Sequence, residues 1–436
     1  MADQRTRVRI DRLDEHGEGR GNDNGRRFAV AGAVPGDVAE VELTRAPRPG
    51  ASLHHGILHR LLTPSPDRIE PPCRHFGTCG GCAVQQLSDT AYLDWKTGRI
   101  LDALAHEQIA FAPGRLQPWV RTAPGSRRRV DLTFRLEGGT CRLGLNQRAS
   151  HSITEIVECH VLLPELVRLL DPLRAVLREL LPAGLAGEVV INRLDAGCDV
   201  LIAPEKAAML SMERRSRLAA FATEHDLVRV SWGARSDPEI VVRRLAPRLA
   251  SLELPLEVPP GAFLQASLAG EQAMQTLLKR WAAPARRVVD LYGGIGTLSL
   301  PLLRSSRVRI VEGDAAAVTA VESALRQAGL QGRGEIERRD LARDPLQAAE
   351  LDRFDLAILD PPRAGARAQA RELAQSGLHR IVAVSCNPRS FAHDVKILTD
   401  AGFEIMELVP IDQFLWSAHI ELIAHLERPR RSRPRR

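Results

Sequence analysis

The first 62 residues alternate between apolar and polar positions in short runs. The runs at 8–10, 28–30 and 38–43 are separated by turns rich in Gly, Asn and Pro. Alternation with a period of two is typical of half-buried strands. The pattern predicts a small all-β domain over residues 1–62, with the composition of a five-stranded barrel. Barrels of this kind often bind RNA, although many of them do not.

A mixed pattern follows over residues 63–258. A helical stretch near 89–107 precedes strand-like runs at 130–136 and 200–202, which alternate with a helical run at 162–181. This mixture predicts an α+β middle domain.

From residue 259 to 427 the pattern changes to β-branched strands that alternate with helices. Strands that alternate with helical crossovers form a parallel, doubly wound sheet. Two later runs, joined by a short irregular segment, predict an antiparallel pair at the edge of this sheet. The predicted strands are 287–291, 308–312, 335–339, 356–360, 381–385, 403–409 and 419–426, and helices are predicted from 297, 315, 367 and 390.

Composition adds constraints on size and surroundings. A chain of 436 residues is too long for one ordinary core, and 44% apolar with 26% charged residues is typical of soluble globular proteins. No run approaches the roughly 20 apolar residues that span a bilayer, and the N-terminus lacks the apolar region of a secretory signal. We therefore expect a cytoplasmic monomer without an obligate protein partner and without a membrane association.

The charge is slightly positive and unevenly placed. Sixty Lys and Arg against 54 Asp and Glu give a net charge of +6. Arginine is concentrated in Arg127-Arg128-Arg129 and in residues 428–436, which are expected to form a disordered basic tail. A nucleic-acid partner suits these patches, but genome bias and solvated surfaces explain them equally well.

A glycine-rich loop follows the first strand of the doubly wound sheet. The strand carries Asp290, which can anchor polar groups, and runs into Tyr292-Gly293-Gly294-Ile295-Gly296-Thr297, where glycines allow close approach to a ligand. The second strand ends at Glu312, whose carboxylate can accept hydrogen bonds from both ribose hydroxyls. Because the loop misses the full G-x-G-x-x-G of dinucleotide sites, S-adenosylmethionine is favoured over NAD. The alternative for Glu312 is a solvated strand-end carboxylate.

Two further strands end in candidate chemistry. Asp360-Pro361-Pro362-Arg363 follows the fourth strand, at the edge where open α/β sheets bind ligands, although a tight turn is the alternative. Cys386 follows the fifth strand, directly before a helix whose N-terminus would favour a thiolate; most isolated cysteines are instead small buried hydrophobes. A thiolate that adds to carbon 6 of uracil makes carbon 5 able to attack an electrophilic methyl group. Cys386 is therefore the candidate nucleophile.

Such a reaction also needs a base that removes the proton from carbon 5. Glu421 lies among apolar residues at the start of the last strand, where desolvation would raise its pKa. It is the candidate base, although an exposed strand carboxylate fits the spacing equally well.

Together these residues resemble the RNA uracil-C5 methyltransferase family, and in particular its branch with an N-terminal TRAM domain and an iron–sulfur cluster, like the bacterial 23S rRNA enzymes. The resemblance extends to the basic tail. It implies a class I S-adenosylmethionine-dependent methyltransferase fold with a TRAM-like barrel and a middle domain that carries a four-cysteine site. The motifs that carry it are Cys73-x5-Cys79-Gly80-Gly81-Cys82, Phe263-Leu264-Gln265, Asp360-Pro361-Pro362-Arg363-Ala364-Gly365, Ser385-Cys386-Asn387-Pro388 and His419-Ile420-Glu421.

The resemblance also implies residue roles. Cys386 matches the nucleophile and Glu421 the base. Residues that match cofactor contacts are Gln265, Tyr292, Thr297, Glu312, Asp340 and Asp360. Residues that match the ligands of a [4Fe-4S] cluster are Cys73, Cys79, Cys82 and Cys159; zinc would accept the same thiolates. Two of the seven cysteines, Cys141 and Cys198, match nothing.

Two departures and several alternatives concern the substrate. Gly293 stands where relatives often carry Cys, and the spacer at 415–418 replaces one that contains Pro and Thr. The resemblance implies an RNA partner, with 23S ribosomal RNA favoured over transfer RNA. Methylation of an exocyclic amine is disfavoured because Arg363 stands where an aromatic residue is needed. A non-catalytic RNA-binding or assembly factor is the remaining alternative.

Overall fold

A computed structural model describes residues 5–43, 53–148, 150–206, 209–283 and 285–429. The predicted basic tail lies outside the described residues from position 430 onwards. The described residues fall into two units. The first comprises Met1–Asp102, Gly144–His160 and Phe414–His419, and the second comprises Ala103–Leu143, Val161–Gln413 and Ile420–Arg436.

Five strands close into a barrel in the first unit, in the order β1-β2-β3-β5-β4. Val8, Phe28 and Val41 fill its interior with no more than 2% of their surface exposed, as the period of two predicts. The predicted barrel is confirmed. Its strands are β1 (Arg5–Leu13), β2 (Gly19–Asp23), β3 (Arg26–Ala31), β4 (Val38–Leu43) and β5 (Leu53–Thr63).

Helix α1 (Asp89–His106) contacts Phe414–His419, the segment of the first unit that contains the altered spacer at 415–418. Tyr92, Lys96 and Arg99, spaced to share one helix face, hydrogen-bond to backbone atoms of Phe414–His419. Leu415 is buried in the same apolar cluster as Tyr92. The segment is therefore fixed mainly through its backbone and one buried side chain.

The middle of the chain forms a mixed sheet in the order β13-β12-β11-β10-β7-β8, and β9 pairs with the end of β8. The single predicted helix at 162–181 is two helices, since Pro172 is tolerated only in a first helical turn. The elements are β6 (Val120–Arg121), β7 (Arg129–Glu137), β8 (Thr140–Asn146), β9 (Ile153–Thr154), α2 (Pro164–Arg168), α3 (Leu170–Leu180), β10 (Ala186–Leu194), β11 (Gly197–Pro204), α4 (Met212–Glu224), β12 (Arg229–Trp232) and β13 (Glu239–Arg243).

The C-terminal part is the predicted doubly wound sheet, in the order β16-β15-β14-β17-β18-β20-β19-β6. The strands from β14 to β18 are parallel, and β20 and β19 are the predicted antiparallel pair. β6, which pairs with β19, was not predicted. The elements are α5 (Leu268–Ala282), β14 (Arg287–Leu291), β15 (Arg307–Glu312), α6 (Ala315–Gln327), β16 (Gly334–Arg338), α7 (Ala348–Leu351), β17 (Leu356–Leu359), α8 (Arg367–Gln375), β18 (Arg380–Ser385), α9 (Pro388–Asp400), β19 (Glu404–Asp412) and β20 (Glu421–Glu427).

The helix predicted from residue 297 is shorter than expected. Only a 3-10 turn, Leu300–Arg304, follows the glycine loop, and Pro301 lies near its start. The strand order reverses at β14, because β15 and β17 flank it on opposite sides. Open α/β sheets bind ligands in the crevice that forms at such a point. Among the described residues, no helix combines the length and apolar character needed to span a bilayer.

A buried ion pair attaches α5 to the segment before β7. An Arg128 guanidinium nitrogen lies 2.5 Å from a carboxylate oxygen of Glu271, with 5% and 0% of the two side chains exposed. The Arg128 Nε also donates to the carbonyl oxygen of Gln265, 3.1 Å away. The pair therefore fixes the segment that carries Gln265.

Replacing Arg128 with Met should destabilise the protein by about 3–5 kcal/mol, because Glu271 would remain buried without a counter-ion. Urea denaturation followed by circular dichroism should show a lower midpoint, largely restored in the double variant Arg128→Met/Glu271→Leu. Arg217→Met serves as control, since its partners are exposed and such pairs contribute at most about 1 kcal/mol. Equal effects of Arg128→Met and Arg217→Met would contradict the prediction.

Candidate active site

The candidate residues of the second unit collect at one edge of the sheet. Tyr292, Glu312, Asp360 and Cys386 stand at or just beyond the carboxyl ends of β14, β15, β17 and β18. Glu421 begins the antiparallel strand β20. The register pairs Ser385 with Leu422, so one further step along each strand sets Cys386 opposite Glu421, with both side chains on the same face. The sheet thus places the nucleophile and base candidates side by side.

Glu421 is buried, with 3% of its surface exposed. Burial raises the pKa of its carboxyl group to about 8, and the negative charge of Asp360 contributes to the rise. The Gln413 Nε2 donates a hydrogen bond of 2.7 Å to Glu421 Oε2, which opposes the shift. The carboxyl group therefore titrates near neutral pH, in the range where a general base is effective.

The Cys386 thiol does not have the low pKa that its position before a helix suggested. Burial raises the pKa of the thiol to about 11, and the charges of Glu421 and Asp360 add to the rise, while Arg363 opposes it. α9 begins two residues later, at Pro388, and its dipole is too weak to offset these effects. In the free protein Cys386 is therefore a thiol at neutral pH.

Two aspartates complete an acidic cluster. Burial raises the pKa of Asp360 to about 7, and burial together with Asp360 and Glu312 raises the pKa of Asp290 to about 7. Asp290 is 1% exposed, and neither of its carboxylate oxygens has a hydrogen-bond partner among the described residues. The site therefore concentrates more acidic groups than it can stabilise as anions, and a bound cation would relieve this.

The glycine loop is tightly constrained. Tyr292 adopts a φ of 63°, which is rare for a residue with a side chain. A Cβ at Gly293 would lie 2.7 Å from Asp290 Oδ2 and 2.6 Å from Ile310 Cγ2. A Cys at this position would therefore require these neighbours to shift.

Glu312 closes the loop from the second strand. Its two carboxylate oxygens accept hydrogen bonds from the backbone N–H groups of Gly294, at 2.8 Å, and Asp314, at 2.7 Å. Each carboxylate oxygen can accept a second bond. Glu312 is thus oriented by the backbone and retains the capacity to bind hydroxyl groups.

The remaining candidates differ in their surroundings. Gln265 is 4% exposed, and its Oε1 accepts a hydrogen bond of 2.9 Å from Gln413 Nε2. The carbonyl oxygen of Thr297 accepts a bond of 2.7 Å from Gln275 on α5. Asp340 is exposed, and its Oδ1 accepts from the backbone N–H of Ala342 at 3.1 Å. Gln265 is therefore part of the buried network around Glu421, whereas Asp340 is not.

Several supporting residues were not found from the sequence. These residues are Gln413, Gln275 and Arg128. Each makes a hydrogen bond to a residue more than 20 positions away along the chain, and no local sequence motif reveals such a contact. Asp394 on α9 accepts a bond of 2.7 Å from the backbone N–H of Ala366. It thereby fixes the end of the Asp360 loop.

The four matched cysteines belong to the first unit. All are free thiols, and hydrogen bonds from Arg74 N to Glu158 (2.9 Å) and from Val157 N to His75 (3.1 Å) hold their two segments together. Burial raises the pKa values of three of them, that of Cys82 to about 12, and repulsion among the thiolates adds to the rise. Across the described ranges, no three His, Cys, Asp or Glu residues are placed to hold one metal ion.

Cys141 and Cys198 lie elsewhere, on β8 and β11, and both are buried. They are ordinary thiols of the protein interior, as their lack of a matching motif predicts.

Several known proteins are similar to this chain in sequence or in fold. A family model for tRNA (uracil-5-)-methyltransferase matches residues 336–429. An uncharacterized RNA methyltransferase of Rhizobium meliloti (strain 1021) is 39% identical over 429 residues, 97% of this chain and 99% of the relative. The 23S rRNA (uracil(1939)-C(5))-methyltransferase of Halomonas elongata is 32% identical over 443 residues, 96% of this chain and 89% of the relative.

The chain belongs to the RNA uracil-5-methyltransferase family. Members of this family are enzymes, so the predicted resemblance and the enzyme class are confirmed. The finer assignment to the branch with a TRAM domain and an iron–sulfur cluster stays a prediction.

A solved structure confirms the fold of this family member. The tRNA (uracil-54, C5)-methyltransferase of Pyrococcus abyssi has a TM-score of 0.70 to this chain, with 21% identity, and covers 96% of this chain and 99% of its own. The predicted class I methyltransferase fold with its N-terminal barrel is thereby confirmed.

Alkylation by iodoacetamide should reveal the raised pKa of Cys386. The thiol should react slowly at pH 7–8 and faster toward pH 11, because only the thiolate is nucleophilic. Glu421→Gln and Asp360→Asn should each accelerate the reaction at pH 8, since removing a negative charge lowers the pKa of the thiol. Mass spectrometry of the Cys386 peptide measures the rate, with the exposed Glu404→Gln as control; identical rates in all variants would contradict the assignment.

Proposed function

We propose that this chain transfers a methyl group from S-adenosylmethionine to carbon 5 of a uridine in RNA. The observation that supports it most is the arrangement of Cys386 and Glu421, set opposite each other by the register of β18 and β20. A thiol and a carboxyl group so placed are the two groups that this reaction requires. Methylation of an exocyclic amine would leave both without a role.

S-adenosylmethionine would supply an electrophilic methyl group on a positively charged sulfur. The residues present fit such a group, because Asp290 is buried without a partner and Asp360 has a raised pKa. Positive charge nearby would stabilise the anionic forms of both. The residues proposed to hold the cofactor are Gln265, Tyr292, Thr297, Glu312, Asp340 and Asp360.

Cys386 is proposed as the nucleophile. Its thiol proton must leave first, and the carboxylate of Asp360, which titrates near pH 7 and acts on Cys386, can take it, so that Glu421 stays free as a base. The thiolate then forms a C–S bond at carbon 6 of the uracil, and the electron pair of the 5,6 double bond moves toward carbon 5 and the carbonyl oxygen. Carbon 5 would thereby become nucleophilic enough to bond to the methyl carbon, and the bond between that carbon and the cofactor sulfur would break, so that S-adenosylhomocysteine leaves as a neutral thioether.

Glu421 is proposed as the base that completes the reaction. Once carbon 5 carries both its original hydrogen and the methyl group, the Glu421 carboxylate removes that proton. The electron pair of the C–H bond restores the double bond, and the C–S bond to Cys386 breaks. Cys386 leaves as a thiolate and takes its proton back from Asp360, and the enzyme ends with the proton of carbon 5 on Glu421, to be returned to solvent.

RNA is proposed to bind through the barrel and the exposed face of the catalytic unit. Carbon 5 of a stacked uridine is inaccessible, so the base must be turned out of its stack, which costs least in a loop or bulge. The side chain of Phe263 is 67% exposed, and the centroid of its ring lies 5.6 Å from Arg129 Cζ. This ring can support the uracil base. The Halomonas elongata relative supports 23S ribosomal RNA as the substrate.

Cys73, Cys79, Cys82 and Cys159 are proposed to hold a [4Fe-4S] cluster. Their donor set fits, because four thiolates that repel each other are stabilised by bound iron. Each thiolate of such a cluster binds a different iron, so the sulfurs stand farther apart than the ligands of one zinc ion.

Cys386→Ala should abolish methylation while S-adenosylmethionine binding by calorimetry is retained. Glu421→Gln should slow turnover by roughly 10²–10⁴-fold and accumulate a covalent RNA–protein adduct, visible as a band resistant to denaturing gels. Wild-type enzyme should form the same adduct with 5-fluorouridine RNA. Methylated uridine produced by Cys386→Ala would rule out this mechanism, and assays on 23S fragments and transfer RNA transcripts identify the substrate.

Anaerobically purified protein should contain iron and sulfide in equal amounts and absorb near 400 nm. Replacing Cys82 with Ser should remove both, because a thiolate ligand of the cluster is lost. Cys198→Ser is the control, since that cysteine is a buried thiol on β11 and is not one of the four matched cysteines. Stoichiometric zinc without iron would contradict the proposal.

A further inference from the structure

One buried amide connects two residues of the candidate site. Gln413 is 2% exposed and follows the last residue of β19. Its Nε2 donates to Gln265 Oε1, 2.9 Å away, and to Glu421 Oε2, 2.7 Å away. The motifs that carry the family resemblance do not include Gln413.

We propose that Gln413 is a positioning residue, which keeps Glu421 in the carboxylate form that removes a proton and fixes the amide of Gln265 with its NH2 group toward the ligand. This inference rests on the proposed function, because Glu421 acts as the base there. It assigns to Gln413 no contact with the substrate.

The two hydrogens of the Gln413 amide match its two acceptors. An amide NH2 group has two hydrogens, and Gln413 uses one for each acceptor. If the amide were turned around, its oxygen would face a carboxylate oxygen and a carbonyl oxygen, which is repulsive. In the observed orientation the side chain of Glu421 accepts rather than donates, and Gln413 Oε1 is buried without a hydrogen-bond partner among the described residues.

The same network orients Gln265. Its Oε1 accepts from Gln413, so the NH2 group is the end that remains for another partner. The Arg128 Nε holds the carbonyl oxygen of Gln265 at 3.1 Å. Backbone and side chain of Gln265 are thus fixed by two different residues.

The surroundings of Gln413 leave its amide little freedom. A Cβ at Gly270 would lie 2.9 Å from Gln413 Oε1 and 3.3 Å from Gln413 Cβ, so the first turn of α5 accommodates the side chain only because Gly270 is glycine. Thr122 Oγ1 donates a bond of 2.6 Å to the carbonyl oxygen of Asp412. The backbone before Gln413 is therefore also held.

Electrostatics gives the direction of the effect. Asp360 is the charged group that acts on Glu421, and the charged groups that act on Cys386 are Glu421, Asp360 and Arg363. Burial and Asp360 raise the pKa of Glu421, and the bond from Gln413 lowers it. Removing that bond should raise the pKa of Glu421 further. A smaller fraction of Glu421 would then be ionised at pH 7, and the carboxylate would become the main form only at alkaline pH.

Gln413→Met removes the donors at nearly constant volume. Single-turnover methylation at pH 7 should fall about tenfold relative to wild type, the change that one pKa unit produces, and the covalent adduct should accumulate. The ratio of variant to wild-type rate should recover as the pH rises to 9–10. The KM for S-adenosylmethionine should rise separately, because Gln265 loses its partner.

Gln369→Met is the matched control. Gln369 is also buried and makes two hydrogen bonds, both with the backbone of Leu346, at 2.9 and 3.0 Å. It should lose stability but keep the pH dependence of the wild type. If Gln413→Met does not fold, Gln413→Glu tests the same point, since a second carboxyl group beside Glu421 should shift its ionisation in the same direction.

A rate ratio that stays constant from pH 6 to 10 in the Gln413 variant would overturn the inference. Wild-type methylation in the same assay would then leave the proposed function intact. Failure of the wild type itself to methylate any RNA would count against the proposed function instead, so the two failures are distinguishable.

Discussion

The desolvation of acidic groups at one edge of the sheet is the constraint on which the site depends. Asp290, Asp360 and Glu421 have their pKa values raised to about 7, 7 and 8 by burial, and the thiol of Cys386 is raised with them. Groups so close in pKa cannot all be ionised together at neutral pH. The protonation of this cluster therefore depends on what binds, which suits a reaction that releases one proton from carbon 5.

Helix α5 contacts several of the residues that surround this cluster. Gly270 lies against Gln413, Glu271 pairs with Arg128, and Gln275 donates to the carbonyl oxygen of Thr297. Glu271 and Gln275 are four residues apart and therefore lie on the same side of the helix. A single helix thus contacts Gln413, the Gln265 segment and the glycine loop.

The sequence predicts the strands and sheets better than it predicts the buried side chains that hold the candidate site. Alternation gives the barrel, and β-branched strands between helices give the doubly wound sheet, because these periods are local. The helix predicted after Thr297 is only a short turn, and β6 is missed because two residues carry no period. Cys386 could be named because it directly follows a strand, and Glu421 because it matches the base of the family that the chain resembles. Gln413 and Arg128 could not, since Gln265, to which both donate, lies far along the chain. The thiol pKa could not be foreseen, since it depends on burial and on carboxylates brought in by other strands.

The way α1 holds Phe414–His419 has a consequence for divergence. Tyr92, Lys96 and Arg99 bind peptide groups of that segment, and peptide groups are common to nearly every residue type. Its composition can therefore drift while its path is retained, as long as Leu415 is replaced by something apolar. Contacts of this kind can accommodate Leu-Trp-Ser-Ala at 415–418 where the family resemblance implies a spacer that contains Pro and Thr.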